Sequence, residues 1–386
     1  MIIISPKSNS LATQLFNIFA GIQYALKFKV PFKIVWNSNI KNDYTDSIFR
    51  NLVVFKRNNW SEVTKEHPGN HPGGPDFVAI YREMRYIFNP LQKTHPNHNF
   101  ALIGYYHSYK YFYMKYSQIL RLMKFNELKN EVMEKHSNLD TKQDICMTFN
   151  SSIHKEKYIA NKEFYLESLK TIIGNIKSGK FVEKKTEKLK MERESKHRLE
   201  RLNMITNLEK DEDNMITIPK QEALDNSDII VENDDDKEVY KILCCGYKKS
   251  HEEMMDTIGY LKNADLGVKL EFTIVDHEIS DWEKMILTSN CKFNVMSTNL
   301  LSWWSSYFCE VEDKEVYYPS KWYNKNIDTK DLFPVEWNKI MVEEAFEDVK
   351  ESVTIELTDD HSKEDPKKID VITSIDKNLE LTIEEN

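Results

Sequence analysis

Glycine is scarce, with ten residues in a chain of 386, and there are eleven prolines. An average composition of about 7% glycine would give more than twice as many. Glycine-rich phosphate cradles are missing accordingly: there is no P-loop and no G-x-G-x-x-G, and G-x-S-x-G, H-E-x-x-H and the protein-kinase motifs are missing too. A nucleotide site would therefore come from the placement of whole elements. Cysteine is also sparse. Cys146, Cys244, Cys245, Cys291 and Cys309 are odd in number, lack C-x-x-C spacing and lie in or beside apolar stretches. That pattern excludes a disulfide framework and suits reduced, buried thiols in a cytosol-like compartment. There is no surplus of positive charge either: the net charge is -9 and the pI about 5.8. Nucleic acid is a poor partner for such a chain, because neutralising phosphates needs a basic face. No stretch approaches the roughly 18 apolar residues of a membrane span, and the start, MIIISPK, is too short for a signal peptide. The expected location is cytoplasmic, with peripheral membrane association through a partner left open.

What is present is ample material for a core: 40% hydrophobic residues, 12% aromatic, and a length that suits two domains. MIII and FKIVW read as strands. Between them Leu11, Leu15, Ile18, Ile22 and Ala25 follow one face of a helix. Strand, helix and strand at this spacing make a βαβ unit, which puts a helix N-terminus beside a strand end. The segment FALIGYYHSYKYFYMKY, residues 100 to 116, is dense in aromatics without a basic groove. That favours core packing or a carbohydrate-facing surface over stacking on single-stranded nucleic acid. In EHPGNHPGGP, His67 and His71 are separated by proline and glycine, which argues against a zinc pair on one helix. No metal is expected.

The strand–helix alternation resumes at ICMTF (145–149) and EFYLESLKTIIGNI. It breaks at about 177–240, a dense mixture of both charges, and returns with KILCCGY, KSHEEMMDTIGYL and KLEFTIV. The charged stretch reads as an insertion, solvated or serving as a surface for a protein partner. The acidic, weakly periodic tail, 341–386, reads as mobile.

Two junctions invite a ligand. In CKFNVMSTNLLSWWSSYF a strand gives way to Ser297, Thr298 and Asn299, which are N-cap candidates for the helix that follows. A helix that begins at a strand's carboxyl end offers backbone N–H groups to a phosphate. Trp303 and Trp304 point about 100° apart on that helix, so one is expected in deep core and the other along a crevice. At the second junction, Gly246 is followed by Lys248 and Lys249, placed to hold a diphosphate, and Ser250 with Glu253 reads as a capping box.

At this point the residues take on a family likeness. LATQLFNIFAGIQYAL resembles the "LGNQLF" helix of the α-1,2-fucosyltransferases, glycosyltransferase family 11. GYYHSYKYF resembles their "GYFQSxKYF" block, LLSWWSSYF their "STFSWWAAWL", and VYYPSKWY and DLFPVEWNKI their closing segments. The order is kept from residue 1 to about 340. The resemblance implies an α/β, GT-B-like fold with two Rossmann-like domains facing a cleft: an acceptor-side domain over 1–140, and a sugar-nucleotide domain over 141–340 that carries the charged insertion. It further implies inverting transfer of fucose from GDP-fucose, or of another sugar from a nucleotide sugar, to a glycan hydroxyl, with no cofactor.

The sequence departs from the family where the donor binds. Asn150 stands where the family's "HxRRxD" loop has an arginine, a neutral donor in place of a bidentate cation. Ala12 and Thr13 replace Gly and Asn before Gln14. CCGY replaces "FSDD", and Asn299 replaces a serine, while Ser302 matches. For a transferase, the resemblance places Thr298, Asn299 and Ser302 at the phosphates with Asn150 assisting, and Gln14 on the acceptor side of the cleft. Lys248 and Lys249, or His154 with Lys155 and Lys157, would replace the missing charge. His154, the one histidine of the altered loop, is the candidate base. The other expectation is a scaffold without catalysis that binds a glycan or a protein partner.

Overall fold

A computed structural model describes residues 1–6, 8–37, 40–57, 78–82, 87–93, 99–139, 144–150, 160–179, 238–323 and 327–342. Of the charged insertion expected over about 177–240, residues 180–237 lie outside the described residues, as do 343–386 of the tail expected over 341–386, and His67, His71, His154, Lys155 and Lys157.

Two parallel sheets carry the fold, as the βαβ reading requires. The first is five-stranded, in the order β3-β2-β1-β5-β4, from β1 (Ile2–Ile4), β2 (Phe32–Asn37), β3 (Val54–Arg57), β4 (Val78–Arg82) and β5 (Asn99–Ile103). The second, six-stranded, runs β11-β10-β9-β6-β7-β8. Its strands are β6 (Ile145–Thr148), β7 (Val239–Cys245), β8 (Lys269–Ile274), β9 (Phe293–Val295), β10 (Glu315–Pro319) and β11 (Asn338–Ile340). All pairings among the described residues are parallel. Counted from β6, the second sheet has the order 3-2-1-4-5-6, that of doubly wound nucleotide-binding folds. The order reverses between β6 and β9, and a crevice outside the carboxyl ends of those two strands is where such sheets take ligands.

Helix α1 (Leu11–Phe28) is buried all round from Leu11 to Ala25. Leu11, Leu15, Ile18, Ile22 and Ala25, the apolar stripe read from the sequence, all lie in the core that unites both sheets. Phe16 and Phe19, on the rest of the helix circumference, face helix α7 (Leu300–Phe308), with ring centroids 4.8 Å from Trp304 in both cases. Gly21 lets α1 lie close on β1, since a Cβ there would sit 2.4 Å from Cγ1 of Ile4. The helix ends at Lys29, whose left-handed backbone (φ 53°) lets its N–H donate to the carbonyl of Ala25.

Along β6, alternate residues serve opposite faces. Ile145 and Met147 pack with α4 (Lys162–Lys177) and α5 (His251–Lys262) in one core, while Cys146 joins the core that holds α1 and α7. That second core runs from Ile2 to Trp337 and unites both sheets. It also takes in α2 (Tyr116–Met123), α3 (Phe125–Lys135) and α6 (Asp281–Thr288).

The tryptophan pair sits at its centre, and here the sequence expectation needs correcting. Both indoles are fully buried. Trp304 donates its indole N–H to the carbonyl of Ala12 in α1 (2.9 Å), and Trp303 to that of Leu332 (3.1 Å). α7 is covered on both sides, by α1 and by the Leu332–Trp337 segment, so neither ring borders a crevice. Together the pair staples one half of the chain to the other.

Candidate functional site

The carboxyl ends of β6 and β9 bring Thr148, Asn150, Thr298, Asn299 and Ser302 together at the point where the strand order reverses. Asn299 is the N-cap of α7: its Oδ1 accepts from the Leu301 amide at 2.8 Å, as its position after the strand suggests. Neighbouring side chains also bond within the protein. Asn150 Nδ2 donates to Thr298 Oγ1 at 3.3 Å, and the Ser297 amide donates to Thr148 Oγ1 at 2.9 Å. Ser302 Oγ lies within hydrogen-bond reach of the carbonyls of Asn299 (2.6 Å) and Ser297 (3.2 Å).

The crevice is roofed by Tyr247, which follows β7 in CCGY. Asn299 Nδ2 donates to the Tyr247 hydroxyl at 3.1 Å. Burial, reinforced by the charge of Asp281, raises the Tyr247 pKa far above the phenol range and keeps the ring neutral. What remains beneath is a cavity of about 30 Å³, room for one water or little more. Small-molecule sites occupy roughly 300–1,000 Å³.

Among the described residues one cation lines this cavity, and the sequence reading does not include it. Lys284, in the first turn of α6, is 4% exposed and donates to the carbonyl of His277 at 2.7 Å. Its ammonium lies 5.8 Å from the centre of the Tyr247 ring. The signal was a lysine directly ahead of Met285, Ile286 and Leu287, all buried. That sets a charge on the covered part of a helix.

Lys248 and Lys249 do not reach the cavity; both are exposed on a short 3-10 turn, and Lys248 pairs loosely with Glu278. Ser250 does not cap α5 with its side chain. Its hydroxyl turns back to the Tyr247 backbone, accepting from the amide and donating to the carbonyl, both at 2.8 Å, because the turn ahead of the helix offers nearer partners. Gln14 is fully buried, and its amide donates to the carbonyls of Ser8 and Asn42, tying two loops together. His154 lies outside the described residues. The five cysteines are free, and burial raises the Cys245 thiol to about 12.

A larger cavity, about 470 Å³, opens beside the second half of α1. Tyr24, Phe28, Phe88, Tyr109, Tyr111 and Tyr113 give it an aromatic lining. α1 begins at the carboxyl end of β1 and runs back along the sheet for about 27 Å, so residues 20–28 carry this pocket toward the opposite end of the strands. Asp331 fixes its wall from the far half of the chain. It accepts from the Phe88 amide at 3.0 Å and pairs with Lys110, while Ser108 Oγ donates to its carbonyl.

No helix among the described residues is long and apolar enough to cross a membrane. Among the described residues, no three His, Cys, Asp or Glu side chains converge as metal ligands. The chain matches no family model, no curated protein and no solved structure.

Proposed function

We propose that this chain is a saccharide-binding protein on a GT-B-like, fucosyltransferase-like frame whose donor crevice has been filled by its own side chains. The observation that carries this reading is the contrast between two cavities. At the reversal of strand order, where a nucleotide sugar would lie, Tyr247, Asn299 and their neighbours leave about 30 Å³. On the amino-terminal half, an aromatic-lined pocket of about 470 Å³ stands open, well within the range of small-molecule sites. Inverting transfer needs a diphosphate held beside an attacking hydroxyl. Here Asn150 is committed to Thr298, and Asn299 to Tyr247. The sequence blocks shared with the fucosyltransferases supply the frame, and the departures from them fall at the donor crevice. The test is retention on immobilised glycans, for the wild-type chain and for Tyr113→Ala at the pocket's exposed rim. Binding by the wild type, lost in a variant with unchanged thermal unfolding, supports the reading; no retention on any neutral or acidic glycan overturns it.

Lys284 favours a second reading, a transferase whose crevice opens when Tyr247 swings away. A buried ammonium at the cavity would then stand in for the arginine replaced by Asn150. On this reading the wild-type chain binds GDP, and Lys284→Met abolishes that binding. On the first reading the wild type does not bind it.

A further inference from the structure

We infer that the aromatic pocket beside α1 selects a saccharide that carries a carboxylate, with the anion placed at Lys27; the inference rests on the saccharide-binding reading. Among the described residues the lining contains two lysines and no carboxylate, in a chain whose net charge is -9. The two lysines differ. Lys110 is neutralised by Asp331. Lys27 has no carboxylate within reach among the described residues; its ammonium lies 5.1 Å from the centre of the Phe28 ring and is exposed at the pocket.

Lys27 also answers the partial negative charge at the end of α1, a role that needs no ligand. What argues for a ligand is its setting. An ammonium without a carboxylate partner among the described residues stands at the edge of an aromatic pocket, and that juxtaposition suits a molecule with an apolar ring face and one negative group. A uronic or sialic acid residue is such a molecule: its C–H face lies on a tyrosine ring and its carboxylate meets the lysine. Gln23 holds the neighbouring wall, accepting from the Lys115 amide at 2.9 Å, so the turn that carries Tyr113 is fixed relative to α1.

The test is calorimetric titration of the full chain with matched pairs of oligosaccharides, terminated by glucuronate, galacturonate or sialate and by the neutral counterpart of each. The expected result is that at least one acidic member binds about three- to tenfold more tightly than its neutral partner, the range of one charge-assisted contact near a surface. Lys27→Gln should erase that preference, and so should salt near 0.5 M, where exposed charges are screened. Tyr113→Ala should weaken both members. If acidic and neutral members bind alike, or if Lys27→Gln leaves the preference intact, the charge selection is wrong while saccharide binding stands. If no member of any pair binds, both the selection and the saccharide reading fall.

Discussion

Replacing Trp304 with phenylalanine removes two things at once: the indole N–H that reaches the Ala12 carbonyl, and the second ring of a side chain with no exposed surface. The hydrogen bond contributes about 1 kcal/mol net. Trimming the indole leaves a void among Phe16, Phe19, Phe112 and Phe308, which crowd the ring at centroid distances of 4.8 to 5.2 Å. Complete truncation of such a side chain costs about 3–5 kcal/mol, so this partial one should cost about 1–2. The expected loss is about 2–3 kcal/mol, a large share of the roughly 5–15 kcal/mol that holds a folded protein together. Urea unfolding measures it as a lower midpoint at unchanged slope. Because α7 joins the two halves through this ring, Trp304→Ala should do more: it should split the single transition into two. A loss below about 0.5 kcal/mol for the phenylalanine variant, or an undivided transition for the alanine variant, would refute the stapling role.

The remaining expectations concern other parts of the molecule. Gly21→Ala should destabilise the fold by about 1–3 kcal/mol, since the new methyl group meets Ile4 and overpacked cores strain; denaturant unfolding reads it. Glu283 and Asp331 both have lowered pKa values. Burial pushes each up, but hydrogen bonds outweigh it, from Lys135 and Ser280 at Glu283 and from Lys110 and the Phe88 amide at Asp331. Their contribution to stability is therefore complete above the ordinary carboxylate range near pH 4–4.5 and is lost as the pH falls through their lower folded values. Glu283→Gln should flatten that acid limb of the stability profile. Cys146, Cys244, Cys291 and Cys309 are buried, so thiol reagents should label these four only on unfolding; rapid labelling of more than one thiol in the native chain would contradict their burial.

Much of the frame was legible in the residues. The Leu11–Ala25 stripe, the strands around Ile145, Leu243 and Phe293 and the Asn299 cap all follow from local spacing. What the residues did not disclose depends on surfaces brought together from distant parts of the chain. Nothing in the order S-T-N-L-L-S-W-W says that α7 is covered on two sides, so one indole was expected at a crevice and none is there. Tyr247 closes over Asn299 across a separation of 52 positions, and such a contact leaves no periodic trace. Lys284 did leave one, a charge beside three buried apolar residues. Such a trace marks a covered lysine but does not say which cavity it meets. The resemblance to fucosyltransferases directed attention to Asn150, Asn299 and Ser302, and those residues do gather at one point. Their side chains bond to the protein itself.

The closed crevice is the claim on which the rest depends, and donor binding addresses it directly. Thermal unfolding of the wild-type chain should be followed as GDP-fucose and GDP are raised to millimolar concentration. A ligand at one hundred times its dissociation constant adds about 2.7 kcal/mol to the stability of the state it binds. The expected result is an unchanged midpoint for both compounds. A saturable rise with either one would mean that Tyr247 is a gate, and would contradict the account.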